Sequence, residues 1–217
     1  MDFPNNFYAL KELYFSLFSL PPDRLKEFDI LLSRTIRALL DLHSCVVEYL
    51  KAVPRQLLDI RFSWLSDLSF LHKIAPISPT DYDESFFETL FTNLSELTRQ
   101  AKDKENTILQ IRALILICDD YANFSLSLNE VFRSQFKARA QEALHQASLL
   151  TEQWIANPAV EEFLIGLAWF ELHINEDKVK AAHWIDTFEK RGINIYNYAL
   201  WMQNYYSEVK QALLKIV

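Results

Sequence analysis

The chain has 217 residues, half of them hydrophobic and 14% aromatic, with a formal net charge of −7. That inventory suits one large domain or two small ones, and it lacks the basic stripe with which nucleic-acid binders neutralise phosphates. Two glycines stand where average usage of roughly 7% would give about fifteen. Gly-rich phosphate loops and dinucleotide fingerprints are thereby excluded, β and α/β plans become poor fits, and the sequence predicts an all-α fold.

The first helix is predicted from Asn6 to Ser19, with Phe7, Leu10, Tyr14, Leu17 and Phe18 at helical spacing. Leu13, Phe15 and Phe18 make it apolar on more than one side. Pro21-Pro22 then stops it. From Asp23 to Ala52 the series Leu25, Phe28, Leu32, Ile36, Leu39, His43, Val46, Leu50 runs unbroken. At 1.5 Å per residue this predicts one rod of roughly 45 Å. Past Pro54 a third helix to Ile74 carries Leu57, Leu58, Phe62, Leu65, Leu68 and Leu71. APISPTDYDES is the one clear linker. It divides an N-terminal part, 1–75, from a C-terminal part, 76–217, within one continuous domain hinged near 75–83.

The fourth helix, Tyr82–Lys102, is expected to bury Phe86, Phe87, Leu90, Phe91, Leu94 and Leu97. Asn106–Phe124 follows, apolar at every position from Ala113 to Cys118, as a helix buried on all sides would be. After a break at Ser125–Asn129 comes a long helix to Ala156, striped by Phe132, Phe136, Ala140, Ala143, Ala147, Leu150 and Trp154. Asn157-Pro158 starts the next, Asn175 is expected to cap the one after, and Arg191-Gly192 ends it with a glycine C′. The last helix, Asn194–Lys215, turns Tyr198, Trp201 and Tyr205 inward. The whole is an irregular bundle of about nine helices.

Cys45 and Cys118 lie in apolar runs and read as buried free thiols. Without a disulfide framework, a zinc spacing or a signal peptide, a cytoplasmic location is expected. The longest apolar run, Phe163–Phe170, is far below the roughly 18 residues of a membrane span.

Trp154, Trp169, Trp184 and Trp201 are spaced almost evenly, LAW at Leu167–Trp169 matches ALW at Ala199–Trp201, and VKAA at Val179 matches VKQA at Val209. On Ile165-Gly166, Trp169, Ala181 or Ala182, and Phe188, the segment Glu161–Gly192 resembles a tetratricopeptide repeat. It departs from that pattern in a longer turn at His173–Asp177 and in lacking the repeat-ending proline. The resemblance implies a helical-hairpin array in the last third, with a concave surface that takes peptides or partner helices.

Two constellations point to metal chemistry. Glu142-x-x-His145 is half of a di-iron carboxylate motif. Asp119-Asp120, with Asn123, resembles the aspartate-rich motif of isoprenoid synthases, whose carboxylates hold Mg²⁺. Neither has a companion motif, so Asp119, Asp120, Glu142 and His145 define only the alternative reading, a small all-α metal-dependent enzyme. The principal expectation is a non-enzymatic interaction module: an adaptor, chaperone-like binder or assembly subunit. It needs no cofactor and no small-molecule substrate. Its partner is another protein or a second copy of the chain, bound on an aromatic-rich face of Trp184, Tyr196, Tyr198, Trp201, Tyr205 and Tyr206.

Overall fold

The computed structural model describes residues 3–74, 84–124 and 130–214. The expected linker at 75–83 and the expected break at Ser125–Asn129 lie outside them, as do the side chains of Phe86 and Phe87. Among the described residues every regular element is helical and there is no strand. Counting Pro22–Ala52 as one broken run, nine helical stretches occur. No described helix is long and apolar enough to cross a membrane. The chain forms two compact units, Met1–Ser78 and Pro79–Val217.

The N-terminal unit contains α1 (Phe3–Phe18), the single turn α2 (Pro22–Leu25), α3 (Asp29–Asp41), α4 (His43–Ala52) and α5 (Leu58–Ile74). The expected 45 Å rod is not there. A 3₁₀ turn at Lys26–Phe28 and a break at Leu42 cut it into pieces. At Leu42 the backbone tightens, its N–H bonding to Leu39 rather than one residue further back. A straight rod would overrun α1 and α5, each about 25 Å long. The breaks let α3 pack on α1 while α4 packs on α5. The hydrophobic series still faces inward, with Leu39, Val46 and Leu50 buried.

α1 meets α5 through large rings. Trp64 of α5 sits 5.5, 5.8 and 5.7 Å from the rings of Phe3, Phe7 and Tyr8, and 4.8 Å from Tyr49 of α4. Nearer the other end of α1, Tyr14 and Phe15 both lie 5.3 Å from Phe70. Between these clusters Lys11 forms an ion pair with Asp67, whose side chain is only 3% exposed, and its ammonium lies 5.2 Å from the Phe70 ring centroid. Leu57, expected in the core, is exposed just before α5 begins.

The C-terminal unit is built differently. α7 (Thr107–Phe124) runs between α6 (Glu84–Asp103) and α8 (Glu130–Gln153) and also packs on α9 (Glu161–Ile174). Leu90, Phe91, Leu94 and Leu97 of α6 are buried, as are Phe136, Ala140, Ala143 and Ala147 of α8. α9 in turn packs on α8, α10 (Lys178–Lys190) and α11 (Leu200–Leu214). Its whole run Phe163–Ala168 is buried, so α9 shares the central place that the sequence assigned to α7 alone. Trp154 falls just past the end of α8 and is exposed rather than part of the stripe.

Local chemistry sets the ends. The Asn106 side chain accepts from Leu109 N–H, and Asn157 accepts from Ala159 N–H. The cap of α10 is Asp177, accepting from Lys180 N–H, not the expected Asn175, whose amide instead donates to Glu171. Gly192 ends α10 at φ +67°. Two other turns place glutamates in the left-handed region: Glu105 at φ 56° and Glu176 at φ 57°. Each is closed by a bond reaching back into the preceding helix, Asn106 N–H to Ala101 O and Asp177 N–H to Glu171 O, both 2.9 Å.

The segment likened to a tetratricopeptide repeat is a helical hairpin, α9 against α10, closed at its open end by Arg191 on Glu161 at 2.8 Å. Gly166 makes no close approach there, since a Cβ would meet only Phe170 Cε2 at an ordinary 3.5 Å. α11 follows as a single helix lying mainly on α9.

Candidate protein-binding surface

The last helix begins at Leu200, after a 3₁₀ turn at Ile195–Asn197, and this fixes which aromatic rings reach the surface. Its inward side is Met202, Tyr205, Tyr206 and Val209. The expected inward stripe of Tyr198, Trp201 and Tyr205 is therefore corrected: Trp201 is 53% exposed. Tyr196 stands further out at 79% exposure, and Leu200 is exposed beside Trp201. Trp184 is the second correction. It is 2% exposed, a core residue of α10 that cannot offer a binding surface.

Trp201 is not loose. It meets Tyr205 edge-on at 5.4 Å, and Tyr205 stacks on Trp169 of α9 at 4.3 Å with the rings 8° apart. His173 lies 4.2 Å on from Trp169. Polar ties lock the rungs. Trp169 Nε1–H donates to Glu208 at 2.8 Å, His173 Nε2 lies 3.1 Å from the same carboxylate, and the Tyr205 hydroxyl donates to Asp119 at 3.2 Å. Burial, then the Asp119 charge, raises the Tyr205 hydroxyl far above its ordinary value. Tyr206 donates to Glu189 at 2.6 Å, and burial with that bond pushes its hydroxyl up to about 12. Tyr198 is half-buried against Phe188, its hydroxyl raised chiefly by burial. Tyr205 and Tyr206 thus stay neutral donors, all three tyrosines are structural parts, and Tyr196, Leu200 and Trp201 remain as the outward group.

The residues of the alternative metal site fall into different settings. Asp119 is held by Asn123, whose amide donates to its carbonyl at 2.7 Å and its carboxylate at 3.1 Å, as well as by Tyr205. Asp120 is fully buried. Glu142 accepts from Gln146 at 2.7 Å on the outer side of α8, and His145 is exposed. Among the described residues no three His, Cys, Asp or Glu side chains gather where they could hold a metal ion. Cys118 is buried, its thiol pushed well up by burial and then by Asp119 and Glu171, whereas Cys45 is exposed against expectation.

Two further surfaces bear on binding. Leu13, Phe15 and Phe18 of α1, the residues that make that helix apolar on more than one side, are exposed, Phe18 at 60%. The other has no counterpart in the sequence reading. A groove of about 970 Å³ runs over α7 between α6 and α8, with Leu114 and Ile117 on its floor and Ser95, Thr98, Ala138 and Ala143 among its walls. Its two arginines are already paired, Arg99 with Glu96 and Asp103, and Arg139 with Glu88 through two 3.0 Å bonds. Ser95 and Thr98 share a face of α6, but the polar residues mixed among the small ones left no pattern in the sequence for the groove. Comparison with family models, with curated proteins and with solved structures finds no match for this chain.

Proposed function

We propose that the chain is a non-enzymatic helical interaction module whose C-terminal unit docks a partner protein on Tyr196, Leu200 and Trp201. The carrying observation is Trp201, more than half exposed yet braced by Tyr205 and, through it, by Trp169 and Asp119. An exposed aromatic that has already given up its freedom loses little entropy on binding, which is why rigid Trp and Tyr side chains dominate interface energetics. Charge indicates the partner's chemistry. The C-terminal unit holds 20 Asp and Glu against 13 Lys and Arg, whereas the N-terminal unit holds nine of each. A partner segment with a basic flank is favoured.

A photo-reactive phenylalanine analogue at position 201, with a control at the exposed Asp186, tests this in cells of the native source. A discrete adduct from position 201 alone is expected. An adduct of twice the chain's mass identifies the partner as a second copy. Identical adducts from both positions, or none from 201, would refute the reading.

A further inference from the structure

His43 and His72 lie on different helices and meet head to head. His43 opens α4 directly after the break at Leu42, and His72 lies in the last turn of α5. Their Nε2 atoms are 3.0 Å apart, with ring centroids 5.1 Å apart and planes at 68°. Without the break, the chain would continue along α3. The interruption is what aims the first imidazole of α4 at α5.

We propose that this pair is a two-histidine site for a divalent transition-metal ion of tetragonal preference, Ni²⁺ or Cu²⁺, stapling α4 to α5. Metal–imidazole bonds are about 2.0–2.1 Å long, so nitrogens 3.0 Å apart subtend roughly 95° at an ion between them. That is close to the 90° of adjacent positions in square-planar or octahedral geometry. A tetrahedral ion such as Zn²⁺ needs the nitrogens roughly 3.3 Å apart. Imidazole suits Cu²⁺ and Ni²⁺, and tetragonal nitrogen and oxygen sites select them.

In the metal-free protein one ring donates its Nε2 proton to the other. On binding, the donating ring shifts its proton from Nε2 to Nδ1 by exchange with water, so both rings stay neutral and both Nε2 lone pairs turn to the ion. Both rings are only partly buried, which leaves an ion a route to the pair. Among the described residues no group of three His, Cys, Asp or Glu forms around the pair. This inference concerns the N-terminal unit and stands independently of the docking surface on α11.

Calorimetric titration of the full chain with NiCl₂ and CuCl₂ is the test. One ion per chain is expected, with Ni²⁺ bound at least tenfold more tightly than Zn²⁺. Binding should survive the triple variant His145→Gln, His173→Gln, His183→Gln, and should vanish in His43→Gln and in His72→Gln separately. Circular dichroism shows whether those two variants fold. Should either fail, the Cu²⁺ electron paramagnetic resonance spectrum of the triple variant decides, because only two nitrogens near a tetragonal ion give the corresponding hyperfine pattern. No stoichiometric binding, binding unchanged in the single variants, or a spectrum with fewer than two nitrogens would overturn the proposal.

Discussion

The two units solve the same problem, holding amphipathic helices together, with different materials. In the N-terminal unit α1 reaches α5 through Trp64, Tyr8, Tyr14, Phe15 and Phe70, with a shielded Lys11–Asp67 pair between the rings. In the C-terminal unit the buried side of α8 includes the small residues Ala140, Ala143 and Ala147, and that of α9 includes Ala168. Large rings span a wide gap but leave their edges outside, as Phe15 and Phe18 show. In the C-terminal unit the most exposed of the described rings lie instead on and just before α11, at Tyr196 and Trp201.

The largest test of that contrast compares two tryptophans that the sequence treated alike. Trp184→Ala should cost about 3–5 kcal/mol in chemical denaturation, because a sealed ring leaves a cavity, while Trp201→Ala should cost less than about 1 kcal/mol. Equal costs would remove the distinction between core and surface rings on which the docking proposal depends. Next, Asp67→Ala strands a shielded ammonium. Lys11 keeps 25% side-chain exposure, so the loss should fall below that of a fully buried broken pair, at about 2–3 kcal/mol. Hydrogen exchange should place that loss in α1 and α5 with the C-terminal unit unchanged, and the double variant Lys11→Met, Asp67→Leu should recover most of it.

Smaller effects of opposite sign are expected in the C-terminal unit. Gly166→Ala has room for its methyl and should raise stability by about 0.5–1 kcal/mol. Glu105→Gly relieves a left-handed backbone and should gain a similar amount or slightly less, about 0.5 kcal/mol. A loss at Gly166 would mean that α9 and α10 approach more closely than the structure shows.

The smallest effect separates the units by pH. The His43 pKa is lowered in the fold, so its contribution is complete above the unfolded value of about 6.5 and is lost as pH falls through the folded one. Glu189 is lowered by the bond from Lys210 and then by that from Tyr206, so its contribution survives to the carboxylate range before acid removes it. On acidification α4 and α5 should gain exchange before α10 and α11 do, and His43→Phe should abolish the earlier step.

Helix positions and most inward faces were legible in the sequence because apolar spacing, Asn157-Pro158 and Gly192 are local signals. What escaped has a common cause. The series through Leu39, His43 and Val46 keeps its period across Leu42, so the pattern carries no trace of the break. The last helix has large rings on several sides, so period alone could not set its phase, and a start at Leu200 instead of Asn194 moved Trp201 outward. Cys45 sits among Leu42, Val46 and Val47, yet one position's rotation around α4 leaves it outside while Val46 is buried. The groove over α7 was invisible because it is a shortage of bulk, and hydrophobic patterning registers only presence.

The two cysteines end up in opposite chemical states. Cys118 is sealed between helices with its thiol driven away from the reactive thiolate, and Cys45 faces solvent two residues from His43. A maleimide added to the unmodified chain should therefore react once, on α4. A dye or spin label at that position comes without mutagenesis. Its signal would report directly on ions arriving beside it.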